Sequence, residues 1–190
     1  MTRTDDLYKL PDDLPVPVDD GACDHLTGMR LPALSLRSTA DEMVNLSQIQ
    51  ETVVIYCYPR TGEPDKDPTP GWNDIPGARG CTPQSCAFRD HYQELQAFDA
   101  AVYGLSTQTT DYQKELVRRL HLPFDVLSDA DLKFTRAINL PTFTVQSMTL
   151  IKRLTLIAED SIIRKVFYPV FPPHKNPDDV IAWLSQNSRS

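Results

Sequence analysis

The chain has 190 residues, enough for one domain with a hydrophobic core, and its 41% hydrophobic and 24% charged residues are ordinary for a globular protein. The formal net charge of -7 argues against nucleic acid or an anionic membrane surface as the main partner, and no apolar run approaches the roughly 20 residues that a membrane span needs. We see no secretory signal at the N-terminus, so we expect a reducing, cytoplasmic location.

The N-terminal 28 residues are acidic and interrupted by three prolines, and we interpret them as an arm that lies on the surface or is disordered. We interpret residues 29–190 as a single domain. Leu31–Leu36 is a candidate short strand. Residues 53–58 are β-branched, aromatic or otherwise apolar without interruption, which is typical of a buried central strand.

Strands and helices alternate over the rest of the chain. The predicted elements are a long proline-rich loop over 59–80, an apolar helical stripe over 86–98, a strand over 101–106, a helix over 110–120 capped by Thr109 or Thr110, a strand over 124–128, a helix over 131–138, a hairpin of two strands over 150–157 and 162–168, and a final helix from Pro177 to about Asn187. This order predicts a mixed sheet with helices on both faces. It matches the thioredoxin-like architecture, although the order alone fits other α/β folds as well.

Two cysteines, Cys81 and Cys86, follow the long loop at the start of a predicted helix. A helix N-terminus presents free N–H groups and a partial positive charge, which stabilise a thiolate, and the thiolate is the reactive form of cysteine. The pattern therefore places one thiol for nucleophilic chemistry. The second thiol is near enough in sequence for disulfide exchange.

The five-residue spacing has a structural consequence if Cys81 and Cys86 lie on one helix. Ideal geometry puts their Cα atoms roughly 8 to 9 Å apart, whereas a disulfide needs Cα atoms within about 7 Å. Oxidation would therefore have to unwind at least a turn. We predict a conformational change that is coupled to the redox state.

The residues around the pair argue against three other interpretations. Any two cysteines at this spacing could simply be core residues. Here, however, Gly80, Thr82 and Pro83 resemble the start of a helix and not its middle, which makes that explanation less suitable. A zinc site would need a second closely spaced Cys or His pair, and the four histidines are scattered. We therefore expect no metal and no cofactor. A disulfide oxidoreductase of the thioredoxin type would have two intervening residues, and this pair has four.

The segment Cys81–Asp90, with the sequence CTPQSCAFRD, resembles the active site of a Q-type peroxiredoxin, a family also called bacterioferritin-comigratory protein. The resemblance covers roughly residues 31–184. Further segments occur in the family's order, namely Tyr58-Pro59, Gly104–Thr107, Leu127–Asp129 and Arg153–Ile157. The resemblance implies a thioredoxin-like fold, with a central mixed sheet flanked by helices, and a thiol-dependent peroxidase.

The resemblance also implies a role for three residues. Cys81 corresponds to the peroxidatic cysteine, which attacks the peroxide and becomes a sulfenic acid, and Cys86 corresponds to the resolving cysteine, which then forms the Cys81–Cys86 disulfide. Arg153 occupies the position of the family's active-site arginine. The implied substrates are hydrogen peroxide and organic hydroperoxides, and the implied reductant is a thioredoxin-like or glutaredoxin-like protein. We expect a monomer.

The chain departs from the family pattern at one important position. Peroxiredoxins usually carry Thr or Ser three residues before the peroxidatic cysteine, and here that residue is Ala78. The roughly dozen extra residues between Pro59 and Cys81 include two candidates for the missing hydroxyl, Thr61 and Thr69. The alternative is that no hydroxyl replaces it, and we favour a residue that the folding of the loop brings to the sulfur.

The remaining candidates have simpler explanations. We expect Cys57 to be a core residue of its strand, Arg89 to form a structural ion pair, Trp72 to anchor the loop, and Pro141–Phe143 to form a turn before a strand. Cys23, in the arm, is kept as a possible alternative resolving or intermolecular thiol.

Two other functions compete with the peroxidase. The missing hydroxyl and the long loop keep open a peroxide sensor or regulatory binding protein on the same fold, in which oxidation of Cys81 changes a partner surface. A thiol-disulfide reductase is the third hypothesis.

Overall fold

The computed structural model describes residues 5–187, and in this part of the chain the main sheet has seven strands in the order β2-β1-β5-β4-β3-β8-β9. The strands are β1 Leu36–Ser38, β2 Met43–Val44, β3 Thr52–Cys57, β4 Ala100–Ser106, β5 Val126–Ser128, β6 Thr142–Val145, β7 Met148–Ile151, β8 Leu154–Glu159 and β9 Ile162–Phe167. The helices are α1 Cys81–Asp90, α2 Tyr92–Gln96, α3 Thr110–Leu120, α4 Lys133–Ala137 and α5 Asn176–Asn187. Strands β6 and β7 form a separate hairpin.

Strand β3 lies at the centre of the sheet, parallel to β4 and antiparallel to β8, so the sheet is mixed as predicted. Its side chains alternate between two cores, with Ile55 and Cys57 on one face and Val54 and Tyr56 on the other. Burial on both faces explains why this strand is a continuous apolar run.

The two faces of the sheet are covered differently. On one face, α1, α2, α3 and α5 contribute Phe88, Leu95, Leu116 and Leu184 to the core. On the other face, α4 is the only described α-helix in the core, and the chain before β3 fills the remaining area with buried residues such as Leu26.

The arm is therefore better ordered than the sequence suggested. Leu7, Cys23 and Leu26 are buried, so the described part of the arm packs on the domain and contributes to its core. Residues 1–4, which belong to the predicted arm, lie outside the described residues.

Two strand predictions were wrong. Residues 31–35 form no strand, because a tight turn places the N–H of Leu34 on the carbonyl of Pro32, and β1 begins only at Leu36. The predicted strand over 150–157 is two strands in two different sheets, β7 and β8. The extended strand is interrupted at residues 152–153. There the N–H of Lys152 donates to the carbonyl of Pro141, and the Arg153 side chain is buried.

Other predictions are confirmed. Helix α3 has the predicted bounds, and the N–H of Tyr112 donates to the hydroxyl of its cap, Thr109. The β8–β9 hairpin turns at Asp160 and Ser161, both with positive φ, as tight hairpin turns require.

The long loop between β3 and α1 is held by its own small apolar cluster. Trp72 is buried, and with Ala78 and Leu150 it packs against partly buried side chains of the β6–β7 hairpin, including Phe143. Trp72 is thus the loop anchor that the sequence predicted. The hairpin was missed because Leu150 and Ile151 were assigned to one strand over 150–157 and Pro141–Phe143 to a turn, whereas β6 already begins at Thr142.

Candidate active site

Cys81 is the first residue of α1 and is 3% exposed. The residue that caps this helix, Gly80, has φ 115°, and a Cβ atom there would lie 2.7 Å from Cγ of Pro173. Only glycine tolerates both this backbone conformation and this close approach. The sequence Gly80-Cys81 therefore places the sulfur at the start of the helix.

Arg153 lies directly beside the sulfur. Its Nη2 atom is 3.1 Å from Sγ of Cys81, and the side chain is 3% exposed. Carbonyl groups of the loop fix the guanidinium, because Arg153 donates to Gly77 at 3.3 Å and to Ala78 at 3.0 Å. A buried arginine and a helix N-terminus both stabilise negative charge on the sulfur.

Gln84 holds Arg153 from the other side, and sequence reasoning missed it. Its Oε1 atom accepts from Nη1 of Arg153 at 2.5 Å, and its Nε2 donates to Oδ1 of Asn176 at 3.1 Å. The same Asn176 oxygen accepts from the hydroxyl of Thr155 at 2.7 Å. A buried chain of hydrogen bonds thus connects the arginine to the start of α5 and to β8. The available signal was its position three residues after Cys81, on the same side of the first helical turn.

A cavity of about 90 Å³ opens above Cys81. The residues that line it include Cys81, Thr61, Thr69, Trp72, Arg79, Thr82, Arg60, Lys66 and Tyr112. By the space that a water molecule occupies in a protein cavity, this volume holds a few water-sized groups. It suits a small polar molecule.

The arm forms part of this site, which the sequence did not predict. Leu7 lines the cavity, and the buried guanidinium of Arg79 forms an ion pair with Asp5. Arg79 also donates to the carbonyls of Asp6 at 2.6 Å and Lys9 at 3.1 Å. The arm therefore closes one side of the cavity through the residue that lies two positions before Cys81.

Cys86 lies further along the same unbroken helix and is partly buried. Burial raises the pKa of the Cys86 thiol, and the nearby Arg89 offsets this only in part. All four cysteines are free thiols. Helix α1 is continuous from Cys81 to Asp90, so both cysteines lie on one intact helix. This is the arrangement from which we predicted that disulfide formation requires unwinding.

Thr61 and Thr69, the two threonines suggested by the sequence, both line the cavity. Thr61 is buried, and both its N–H and its hydroxyl donate to Oε1 of Gln108, at 3.1 and 3.2 Å. Thr69 is partly exposed. Ala78 itself supplies only its carbonyl, which accepts from Sγ of Cys81 at 3.7 Å.

The other cysteines do not line the cavity. Cys57 is fully buried in β3, where burial raises its pKa. Burial and the acidic residues around it raise the pKa of Cys23 to about 12. Arg89 pairs with Asp90 at 3.0 Å and donates to the carbonyl of Leu120 at 2.9 Å, so its contacts are structural, as expected.

The described residues include neither a metal-binding cluster nor a helix that could span a membrane. Residues 5–187 contain no cluster of three or more His, Cys, Asp or Glu side chains that could hold a metal ion. Within the same range, no helix combines the length and the apolar character needed to cross a bilayer.

The chain is similar to known proteins of one family. The Redoxin family model matches residues 26–181. A chloroplastic peroxiredoxin Q from Sedum lineare is 30% identical over 159 residues, which covers 83% of this chain and 76% of that protein. A second chloroplastic peroxiredoxin Q, from Suaeda salsa, is 29% identical over the same length, which covers 66% of that protein.

Solved structures show the same fold. The peroxidoxin BcpB of Mycobacterium tuberculosis has a TM-score of 0.70 at 23% identity, covering 87% of this chain and 99% of that chain. A PrxQ variant from Xylella fastidiosa has a TM-score of 0.69 at 20% identity, with the same coverage. The predicted thioredoxin-like fold is confirmed.

Proposed function

The chain belongs to the redoxin family and is a Q-type peroxiredoxin, a thiol peroxidase, and we propose that Cys81 is the thiol with which it reduces peroxides. One observation carries the assignment: Nη2 of Arg153 lies 3.1 Å from Sγ of a cysteine that begins a helix and faces a small cavity. No other described cysteine lines that cavity.

In the first step, the Cys81 thiolate attacks the terminal oxygen of the peroxide. An S–O bond forms while the O–O bond breaks, so sulfur is oxidised by two electrons and the peroxide is reduced. The leaving oxygen takes up a proton and departs as water or an alcohol. Arg153 stabilises the sulfur anion before the reaction and the charge on the leaving oxygen during it.

In the second step, the Cys86 sulfur attacks the sulfenic acid, and the S–S bond forms as water is released. Five residues of intact helix separate the Cα atoms by roughly 8 to 9 Å, which is too far for a disulfide. Part of α1 therefore unwinds before this step. A thioredoxin-like or glutaredoxin-like dithiol then reduces the disulfide by thiol exchange, supplying two electrons.

The proposal includes the substrate, the assembly state and the location. The cavity volume of about 90 Å³ supports hydrogen peroxide and small organic hydroperoxides as substrates. The protein is proposed to act as a monomer in the cytoplasm, where a reducing environment returns Cys81 and Cys86 to thiols.

The test is peroxide consumption with a thioredoxin system as electron donor, in the wild type and in Cys81→Ser and Cys86→Ser. We expect no turnover for Cys81→Ser, because no other described thiol lines the cavity. Cys86→Ser should form one sulfenic acid per chain, which dimedone trapping and mass spectrometry would detect, and then stop. Cys23→Ala is the matched control and should turn over like the wild type. Turnover by Cys81→Ser would refute the proposal.

One observation still supports the sensor hypothesis. The position that usually carries the peroxide-orienting hydroxyl is occupied by Ala78, which has no hydroxyl. The same experiment separates the two functions. A sensor would oxidise rapidly at Cys81 without turnover in the presence of the reductant, whereas a reductase would reduce insulin disulfides and ignore peroxide.

A further inference from the structure

We propose that the hydroxyl of Thr82 holds the peroxide against Cys81, in place of the hydroxyl that residue 78 lacks. This inference rests on the proposed peroxidase function and names a substrate-contacting residue for it. Thr82 follows Cys81 in the first turn of α1, and both residues line the same cavity.

The Thr82 hydroxyl is buried and unpaired. The residue is 2% exposed, and Oγ1 has no hydrogen-bond partner within residues 5–187. Buried hydroxyls are nearly always hydrogen-bonded, because an unpaired polar group away from water is costly. A hydroxyl kept free beside a nucleophile therefore indicates a partner that arrives with the substrate.

Arg79, another residue of the cavity wall, carries a second unpaired polar atom. Nε of Arg79 is buried without a hydrogen-bond partner in the described part of the chain, although the other nitrogens of its guanidinium are bonded to the arm. Arg79 and Thr82 flank the Gly80-Cys81 pair. Two residues of the cavity wall that are neighbours of Cys81 in sequence thus each carry an unsatisfied polar atom, which favours a small polar ligand in this cavity.

Competing hydroxyls are less available. The Thr61 hydroxyl already donates to Gln108, whose Nε2 in turn donates to the Thr61 carbonyl at 3.3 Å. Thr61 can therefore only accept a hydrogen bond from the peroxide, whereas the Thr82 hydroxyl is free both to donate and to accept. Tyr58 also has a buried phenol oxygen without a hydrogen-bond partner in the described residues, but it is not part of the cavity wall. Thr69 is partly exposed, so water can satisfy its hydroxyl.

The start of α1 also explains why a side-chain hydroxyl is useful there. The first turn of a helix usually offers several free N–H groups to an anion or polar ligand. Pro83 has no N–H, so α1 offers one fewer. A threonine hydroxyl can accept a hydrogen bond from the peroxide O–H and so aim the O–O bond at the sulfur, while Arg153 faces the reacting charge.

The experiment compares Thr82→Val, Thr82→Ser and Thr69→Val, each in a Cys86→Ser background so that only the first oxidation is measured. Two second-order rates are recorded at pH 7, for oxidation of Cys81 by hydrogen peroxide and for its alkylation by iodoacetamide. We expect Thr82→Val to slow peroxide oxidation by about 10- to 100-fold, the range for loss of one preorganised polar contact in a transition state. Alkylation should not change, because iodoacetamide needs no such contact.

Thr82→Ser should restore most of the peroxide rate, since it keeps the hydroxyl, and Thr69→Val should lose less than Thr82→Val. Thermal unfolding is measured in parallel. Valine removes an unpaired buried hydroxyl at nearly constant volume, so we expect an unchanged or higher Tm. If Thr82→Val does not fold, Thr82→Ala is measured instead, with the same expectation for the ratio of the two rates.

Each contrary result has a separate meaning. An unchanged peroxide rate in Thr82→Val, or a parallel loss of both rates, would overturn the role of Thr82 and leave the peroxidase function standing. If the parent Cys86→Ser protein forms no sulfenic acid with peroxide, the proposed function fails first.

Discussion

The two halves of α1 are held in place by different kinds of contact. In the first half, the anchors are polar: Gln84 bonds Arg153 at 2.5 Å, and the Ser85 hydroxyl lies 3.1 Å from the Tyr56 hydroxyl. In the second half the main anchor is Phe88, which is fully buried and stacks on the ring of Tyr56 with centroids 4.5 Å apart.

This difference assigns separate tasks to the two ends of one helix. Polar contacts are directional and depend on the charge at the site, so a change at Cys81 alters them directly. Apolar burial of an aromatic side chain does not depend on the oxidation state of a nearby sulfur. We therefore expect the first turns of α1 to open when Cys81 is oxidised, while Phe88 keeps the rest of the helix on the sheet.

The largest expected effect comes from removing the polar anchor itself. Arg153→Met keeps the length of the side chain but removes its charge, and we expect a loss of about 10²- to 10³-fold in the rate of Cys81 oxidation by peroxide. It also leaves the acceptor of Gln84 and the loop carbonyls unpaired, which should lower stability by about 1 to 3 kcal/mol. Stopped-flow oxidation and chemical denaturation measure the two effects.

Arg153→Lys is the matched control, because it keeps the charge without the planar fork. One ammonium group cannot replace guanidinium contacts to the sulfur, to Gln84 and to two carbonyls at once, so we expect only partial recovery of the rate. A wild-type oxidation rate in Arg153→Met would contradict the assigned role of this arginine.

A smaller effect, confined to a few amides, tests which half of the helix opens. After formation of the Cys81–Cys86 disulfide, hydrogen exchange should accelerate at residues 84–86 and stay slow at residues 88–90. Peroxide-treated Cys86→Ser protein, which stops at the sulfenic acid, provides the control and should keep the helix largely protected. Disulfide formation with no loss of helical circular dichroism would end the unwinding hypothesis.

The smallest perturbation is a pH series of thiol labelling in the reduced, folded protein. The raised pKa of Cys86 leaves it mostly protonated at neutral pH, so its alkylation should increase about tenfold per pH unit between pH 7 and 9. Cys23, with a pKa of about 12, should stay unlabelled across this range. We expect Cys81 to react first at pH 7, because Nη2 of Arg153 lies 3.1 Å from its sulfur. Labelling is located by peptide mass spectrometry, and faster labelling of Cys86 than of Cys81 at pH 7 would contradict the site.

Sequence patterns predicted the structure best where all the residues of the pattern belong to one strand or one helix. The apolar run of β3, the capped helix α3 and the start of α1 at the cysteine pair were all predicted from neighbouring residues. The predictions failed where tertiary contacts override a local pattern. The run 150–157 has strand propensity throughout, yet the burial of Arg153 splits it between two sheets.

The contributions of Gln84, Arg79 and Leu7 could not be predicted in the same way. Each depends on a partner far along the chain: Gln84 on Arg153, Arg79 on the arm, and Leu7 on the loop that encloses the cavity with it. Arg153 was placed only through the family resemblance, since a charge near a strand end has many ordinary explanations.

The amino-acid order alone determined the alternation of strands and helices and the position of a cysteine at a helix start, because periodicity and capping depend on residues within one or two turns. It also determined that residue 78 carries no hydroxyl. Tertiary structure decided which groups surround the sulfur, because Arg153, Gln84, the arm and an unpaired Thr82 hydroxyl meet only once the loop, helix and sheet have packed together.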